Sequence, residues 1–391
     1  MKLYLVLLLT GLSCLSAKVL ANNNFAEDLD YIQQFDSPII LKSKDQQSQL
    51  VLSAQHQGRV LTSTATGVKG LSNAWLDKKA LQNKTGNVGG EDRTWIAPIG
   101  SKFSLFYPAG KEIKSENWQV PTALNEKNYS VVLANNKTVH FQKNLQLINH
   151  QNSQFSVQLD RKITLLNKPE IEQHLNIQLP KAVNQVAYSS DTELTNLGDN
   201  WHVDKGLITL WSMAMLQGSD DNISMFTITP EQAPAQSYLY DLYGDRLISK
   251  EHLIFYKTDG KYRSKIGIPV AISGNLILSY SPSLKRLTVI KFTLNKQAAY
   301  PISLEQENTN GIKGDVTNAY NHGNMDGSLL ANSAFFELES SAPMRALKTN
   351  ESVSHTQQVF HFVGQVHLLD LIAKQLVGIK VSETDNIFQS Q

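Results

Sequence analysis

Apolar and polar residues alternate with a period of two through most of this chain. The pattern is clearest at 155–163, where every second residue except Arg161 is apolar. Because successive side chains of a β-strand point to opposite faces, such a segment has one buried and one solvated face. The segments 130–134 and 138–141 flank Asn135-Asn136, which predicts a hairpin. Further strands are predicted at 174–180, 276–280 and 287–292.

Helical spacing is confined to the two ends of the chain. Asn24–Phe35 has an amphipathic pattern, and His367–Val377 has another that stops at Gly378. No internal repeat and no long low-complexity linker divides the sequence. The predicted architecture is therefore all-β, a single large antiparallel sandwich with short helices at the ends.

The charge balance and the motifs limit the classes of partner. Lys and Arg total 36 against 35 Asp and Glu, so no net field attracts nucleic acid or anionic lipid. The sequence contains no nucleophile elbow, no phosphate-binding loop, no dinucleotide fingerprint and no metal-binding histidine motif. We predict no cofactor, no metal, no nucleic-acid partner and no membrane span, and a monomer or weak oligomer.

The first residues resemble an export signal. Lys2 precedes the apolar run Leu3–Leu9, and Ala21 ends a small-residue cleavage pattern. We expect a signal peptide at 1–21, a mature domain at 22–391, and a periplasmic or secreted protein. Lipid attachment at Cys14, the only cysteine, is the alternative.

The segment 89–95 combines two glycines, three charges and an aromatic ring. Glu91, Asp92 and Arg93 supply the charges, and Trp95 supplies the ring. Arginine and carboxylate groups bind sugar hydroxyls, and an aromatic ring stacks on the apolar side of a pyranose. The alternative is a turn containing a structural ion pair.

Two carboxylates follow one another on a predicted strand. Glu337 and Glu339 are two residues apart, so they share a face roughly 7 Å apart. If shielded from water, this proximity raises the pKa of at least one of them, which suits acid–base chemistry. The alternative is a solvated strand face. His355 lies on a later predicted strand and is a candidate proton donor.

Two further polar segments provide binding candidates. Asn318, Tyr320, Asn321 and His322 could bond sugar hydroxyls, although such loops also cap sheet edges. Lys265 lies on a strand where it could meet an anionic group such as a uronate. The largely apolar segment 201–218 is interpreted as core.

The segments 90–95, 265–267, 314–321 and 336–343, with the region of Trp118, resemble a bacterial family of uncharacterised secreted proteins. That family is placed in the galactose-mutarotase-like superfamily. The resemblance implies a β-supersandwich with a sugar-sized cleft. It also implies that Glu339 matches the base of aldose 1-epimerases, with Glu337 second, and that Arg93 matches their arginine.

The central histidine acid of those epimerases has no counterpart in 207–215 of this chain. The acid would then be His355, His322 or Tyr320. We therefore predict a carbohydrate-binding protein, with an epimerase-like reaction that uses Glu339 as base. The alternatives are a non-catalytic sugar-binding module and a polysaccharide lyase or hydrolase accessory. The sequence leaves open which sugar is bound and whether it is changed.

Overall fold

A computed structural model describes residues 24–84, 87–125, 128–230, 235–238, 244–302, 314–324, 326 and 335–388. The predicted signal peptide, with Cys14, lies outside these residues. Strands account for 43% and helices for 15% of the structure. The prediction of an all-β chain with few short helices is confirmed.

The strands follow the alternating segments of the sequence. In chain order they are β1 (Ile39–Lys42), β2 (Gln49–Ser53), β3 (Arg59–Thr64), β4 (Arg93–Ala97), β5 (Ser130–Ala134), β6 (Thr138–Ile148), β7 (Gln154–Leu165), β8 (Asn184–Asn196), β9 (Thr209–Gln217), β10 (Ile223–Ile228), β11 (Gln236–Ser237), β12 (Leu247–Lys250), β13 (Leu253–Lys257), β14 (Ser264–Pro269), β15 (Ser273–Ser281), β16 (Arg286–Phe292), β17 (Asp315–Asn321), β18 (Phe335–Ser341) and β19 (Ser352–Val363). The predicted hairpin is β5–β6, and the strands predicted at 155–163, 276–280 and 287–292 are confirmed as β7, β15 and β16.

These strands form antiparallel sheets of three sizes. The small sheet has the order β1-β2-β3. The ten-stranded sheet has the order β12-β13-β10-β15-β16-β19-β8-β7-β6-β5, and the six-stranded sheet has the order β11-β14-β17-β18-β9-β4. Strands that are distant in sequence therefore become neighbours, since β4 lies beside β9 and β9 beside β18.

The main core lies between the six-stranded and ten-stranded sheets. Leu338 and Ala319 of the six-stranded sheet belong to the same buried cluster as Ile290 and Val359 of the ten-stranded sheet. A second apolar cluster covers part of the other face of the ten-stranded sheet, where Phe360 packs with residues of two helices. Burying one face of each strand is what the period-two pattern requires.

The helices are short and mostly capped by their own side chains. They are α1 (Phe25–Gln33), α2 (Lys78–Asn83), α3 (Thr122–Asn125), α4 (Lys168–Leu175) and α5 (Val366–Val377). The predictions at 24–35 and 367–377 are confirmed by α1 and α5. The side chain of Asn24 caps α1, and α5 ends at Gly378, whose φ is +76°.

The strand predicted at 174–180 is wrong. Its first residues end α4, and 176–180 are not a strand. A capping box explains the helix, because the Asn167 side chain accepts from the Glu170 amide while the Glu170 side chain accepts from the Asn167 amide. Pro169 in the first turn favours the same start. No described helix is long and apolar enough to cross a membrane.

Candidate functional site

Glu337 and Glu339 lie on the side of β18 that faces away from the ten-stranded sheet. The intervening residues point inward: Leu338 is in the core, and Ser340 Oγ lies 2.7 Å from Nε2 of His355 on β19. The strand pleat therefore places both glutamates on the opposite side. We call this side the charged face and define it by Arg93, Lys265, Glu337 and Glu339.

The sheet register brings one cation to each glutamate. Arg93 on β4 and Lys265 on β14 approach β18 from its two sides, each across one intervening strand. Arg93 Nη2 lies 3.1 Å from Glu337 Oε1, and Lys265 Nζ lies 3.0 Å from Glu339 Oε2. The charged face thus carries two ion pairs side by side.

Glu339 is the most enclosed member of the face. It is fully buried, and Lys265 contacts both of its carboxylate oxygens. The indole Nε1 of Trp211 donates to Glu339 Oε2 at 2.9 Å. Sequence reasoning assigned Trp211 to the core and missed this contact. Alternation along β9 alone does not reveal it, because the contact depends on the register that places β9 between β4 and β18.

Arg93 is held in place by three neighbours. Its Nη1 donates to Asn87 Oδ1 at 2.5 Å, and its Nη2 donates to Glu337. Its guanidinium carbon lies 4.1 Å from the ring centroid of Trp95. Trp95 is itself buried, and the Arg93 guanidinium lies over the face of its ring. Asn87 was not identified from the sequence.

A third carboxylate reaches the face beside Lys265. Asp315 Oδ2 accepts hydrogen bonds from the Tyr238 hydroxyl and from Asn318 Nδ2. A Cβ at residue 267 would lie 2.0 Å from Asp315 Oδ2, so Gly267 leaves the space that this carboxylate occupies. Burial raises the pKa of Asp315 to about 6.

Aromatic side chains border the charged face near Glu337. Tyr320 lies opposite Glu337 on β17, and its hydroxyl is 3.1 Å from His322 Nδ1. The His322 ring stacks on Phe335 with 4.4 Å between centroids, and Phe335 also packs against Trp75. Burial raises the pKa of Tyr320 and lowers that of His322, so both are neutral at pH 7.

The two glutamates have different environments. Burial, reinforced by the charge of Glu339, raises the pKa of Glu337 despite its contact with Arg93. Glu339 instead accepts hydrogen bonds from the Lys265 ammonium and from the Trp211 indole N–H. A pair of carboxylates in contrasting environments is the arrangement that separates a proton donor from a proton acceptor.

Four of the site residues predicted from the sequence lie away from the charged face and its neighbouring side chains. His355 is buried between the sheets, bonded to Thr293 and Ser340, and its pKa is lowered by burial to about 4. The expectation that it shares a cleft with the glutamates is corrected. It belongs to β19 in the ten-stranded sheet, and both of its ring nitrogens face side-chain hydroxyls.

Glu91, Asp92 and Asn321 also have structural partners. Glu91 Oε1 accepts from Ser63 and lies 2.8 Å from His361 Nε2. Asp92 pairs with Arg161 at 2.9 Å rather than with Arg93. The Asn321 side chain bonds the backbone of 260–262. These residues stabilise the fold behind the charged face, as the structural alternatives allowed.

The described residues contain no group of three or more His, Cys, Asp and Glu side chains arranged to hold a metal ion.

We expect Asp315 to reduce stability as the pH rises. Its carboxyl keeps a proton to about pH 6 when folded but loses it near pH 3.8 when unfolded. The unfolded state binds fewer protons between these values, so the free energy of unfolding falls by about 2 kcal/mol from pH 4 to pH 6. In Asp315→Asn this decrease in the free energy of unfolding should disappear. Urea denaturation at each pH measures it.

Asp220→Asn, at an exposed aspartate, is the control and should keep the pH dependence of the wild type. Equal pH dependence in Asp315→Asn and wild type would contradict the assignment.

The sequence at 23–388 matches the family described as "Family of unknown function (DUF6786)". The chain belongs to this family. No functionally curated protein has a matching sequence.

Solved structures with a similar fold come from several bacteria. The Slr1438 protein from Synechocystis sp. PCC 6803 is 13% identical, with a TM-score of 0.50, over 84% of this chain and 96% of that chain. A galactose mutarotase-like protein from Lactobacillus casei ATCC 334 is 9% identical, with a TM-score of 0.49, over 83% of this chain and 100% of that chain. A galactose mutarotase related enzyme from Lactobacillus acidophilus is 9% identical, with a TM-score of 0.47, over 83% of this chain and 97% of that chain.

The likeness to the Slr1438 protein is one of fold, and the galactose-mutarotase-like superfamily remains what the sequence resemblance implies. At these identities the likeness concerns the fold alone. A bacterial, secreted origin for the family remains a prediction.

Proposed function

We propose that the protein binds a neutral carbohydrate on the charged face. The observation that carries the proposal is the pairing of Arg93 with Glu337 and of Lys265 with Glu339, beside aromatic rings. Sugar hydroxyls both donate and accept hydrogen bonds, and charged partners offset the cost of removing them from water. Adjacent cations and carboxylates supply both kinds of partner.

The charge balance of the face favours a neutral sugar over a uronate. Each of the two cations already contacts a carboxylate, and Asp315 adds a third acidic group. An anionic sugar would therefore compete with Glu337 and Glu339 for these two cations. This argues against the lyase alternative, which needs Arg93 or Lys265 free to neutralise a uronate.

Arg93 retains a donor for a ligand. Its Nε is buried and has no hydrogen-bond partner among the described residues, and the same is true of Trp95 Nε1. Buried donors without partners are uncommon, because each costs free energy in the absence of a ligand or water. Because Arg93 Nε is itself buried, a sugar hydroxyl would reach it only after the side chains that cover it move.

A thermal-shift panel of neutral mono- and oligosaccharides and of uronates tests the proposal. We expect at least one neutral sugar, and no uronate, to raise the melting temperature. In Arg93→Met the dissociation constant for that sugar should rise at least tenfold, because a charged hydrogen-bond donor is lost.

Lys162→Met is the matched control, since Lys162 is exposed on the ten-stranded sheet, and it should bind like the wild type. A panel without a shift, or equal binding by Arg93→Met, would count against a sugar site on this face. Stabilisation by uronates alone would favour the lyase alternative.

A second candidate function is epimerisation of the bound sugar, favoured by the contrast between Glu337 and Glu339. Glu339 would accept the proton of the anomeric hydroxyl while Glu337, with its raised pKa, protonates the ring oxygen. The C1–O5 bond then breaks, the aldehyde turns, and the ring closes as both protons return. Tyr320 is the alternative acid, and His355 is no longer one.

Polarimetry on each sugar that binds separates the two functions. An enzyme accelerates the approach to anomeric equilibrium, and Glu339→Gln and Glu337→Gln each slow it. A binding module leaves the rate at its uncatalysed value. We further propose that the chain acts in the periplasm or outside the cell after removal of 1–21, with Cys14 lipidation as the alternative; N-terminal sequencing of the exported form distinguishes them.

A further inference from the structure

Trp118 is one of the aromatic residues whose ring is exposed, among those that the structure describes. It lies just after the 3₁₀ turn Ser115–Asn117 and is 41% exposed. Its ring stacks on buried Phe106, with centroids 5.6 Å apart and planes within 11°. One side of the indole is therefore covered by Phe106, which leaves the other for a partner.

The ring is held in position from the backbone. The Gln119 amide donates to the Phe106 carbonyl at 2.9 Å, and the Trp118 amide donates to Ser115 at 3.2 Å. The first bond ties the residue after Trp118 to Phe106, and the second closes the turn that precedes Trp118. A fixed indole loses little conformational entropy when a ligand covers it.

A continuous series of aromatic contacts connects Trp118 to the charged face. Phe106 packs against Trp95 and Trp211, with centroids 5.7 and 6.3 Å apart. Trp211 in turn donates to Glu339. Trp118 is thus separated by two ring contacts from Trp211, whose indole N–H donates to Glu339.

We propose that Trp118 is the stacking surface of a second sugar subsite, so that the ligand is an oligosaccharide extending from the charged face across this ring. The proposal rests on the carbohydrate site proposed above. The apolar side of a pyranose is flat and matches an exposed indole, whereas the ring hydroxyls point outward to water. A single sugar ring at the ion pairs would leave Trp118 uncovered.

Calorimetric titration with glucose, galactose, maltose, maltotriose, cellobiose and cellotriose tests this proposal. We expect a di- or trisaccharide to bind at least tenfold more tightly than its monosaccharide. Trp118→Ala should remove that difference and leave the monosaccharide affinity unchanged. Trp118→Phe should retain most of it, and Leu371→Ala, at an exposed apolar residue of α5, should have no effect.

The other outcomes overturn the proposal in distinguishable ways. If mono- and oligosaccharides bind equally, or if Trp118→Ala binds both as the wild type does, the second subsite is absent and the charged-face site stands. An equal loss for monosaccharide and oligosaccharide in Trp118→Ala also overturns the subsite. If none of these sugars binds the wild type, both proposals fail for gluco- and galacto-configured ligands.

Discussion

Asp92→Ala is expected to lower the free energy of unfolding by about 3–5 kcal/mol. Asp92 and Arg161 are both fully buried between the sheets, and their side chains are 2.9 Å apart. Removing the carboxylate leaves the buried Arg161 guanidinium without its counter-charge, bonded to neutral groups such as the Gly58 carbonyl and the Thr94 hydroxyl. Urea denaturation followed by circular dichroism measures the change.

The double variant Asp92→Leu with Arg161→Met separates the loss of pairing from the loss of side-chain volume. Replacing both partners with apolar groups removes the buried charge, so the double variant should be more stable than Asp92→Ala. Asp220→Ala, at the surface, should change stability by less than about 0.5 kcal/mol. A loss of under about 1 kcal/mol in Asp92→Ala would show that water reaches Arg161.

Glu339→Gln is expected to weaken binding of the best sugar by about a hundredfold, or about 2.7 kcal/mol. The substitution retains the shape of the side chain but removes the charge that Lys265 and Trp211 contact. A ligand hydroxyl then loses a charged acceptor, and Lys265 loses its partner. Calorimetric titration measures the change, with thermal melting to verify that the fold is intact.

Glu193→Gln provides a matched control, because Glu193 is exposed on the ten-stranded sheet. Lys265→Met tests whether the pair acts as one unit. If it does, the double variant Glu339→Gln with Lys265→Met binds the sugar no more weakly than the single variant that has the larger loss of affinity. Full additivity of the two losses would indicate independent roles.

The strand pattern of the fold was readable from the sequence because burial of one face imposes a period of two. The same rule correctly placed Glu337 and Glu339 on one side of β18. It failed at 174–180, because a capping box at Asn167 and Glu170 starts α4, and this helix extends through Leu175 into the alternating segment.

The partners in the site were not readable in the same way. Arg93 and Glu337 are 244 positions apart and meet only through the register of β4, β9 and β18. Glu91 and Asp92 adjoin Arg93 in sequence, yet both point between the sheets. His355 had a suitable side chain, but alternation along a strand does not reveal what its inner face contacts.

A crystal structure with the best-binding saccharide from the thermal-shift panel would show where on the protein the ligand binds. We expect a sugar ring on the charged face, with hydroxyls within hydrogen-bond distance of Arg93 or Lys265 and of Glu337 or Glu339. A saccharide bound elsewhere on the protein, with both ion pairs unchanged and uncovered, would contradict it.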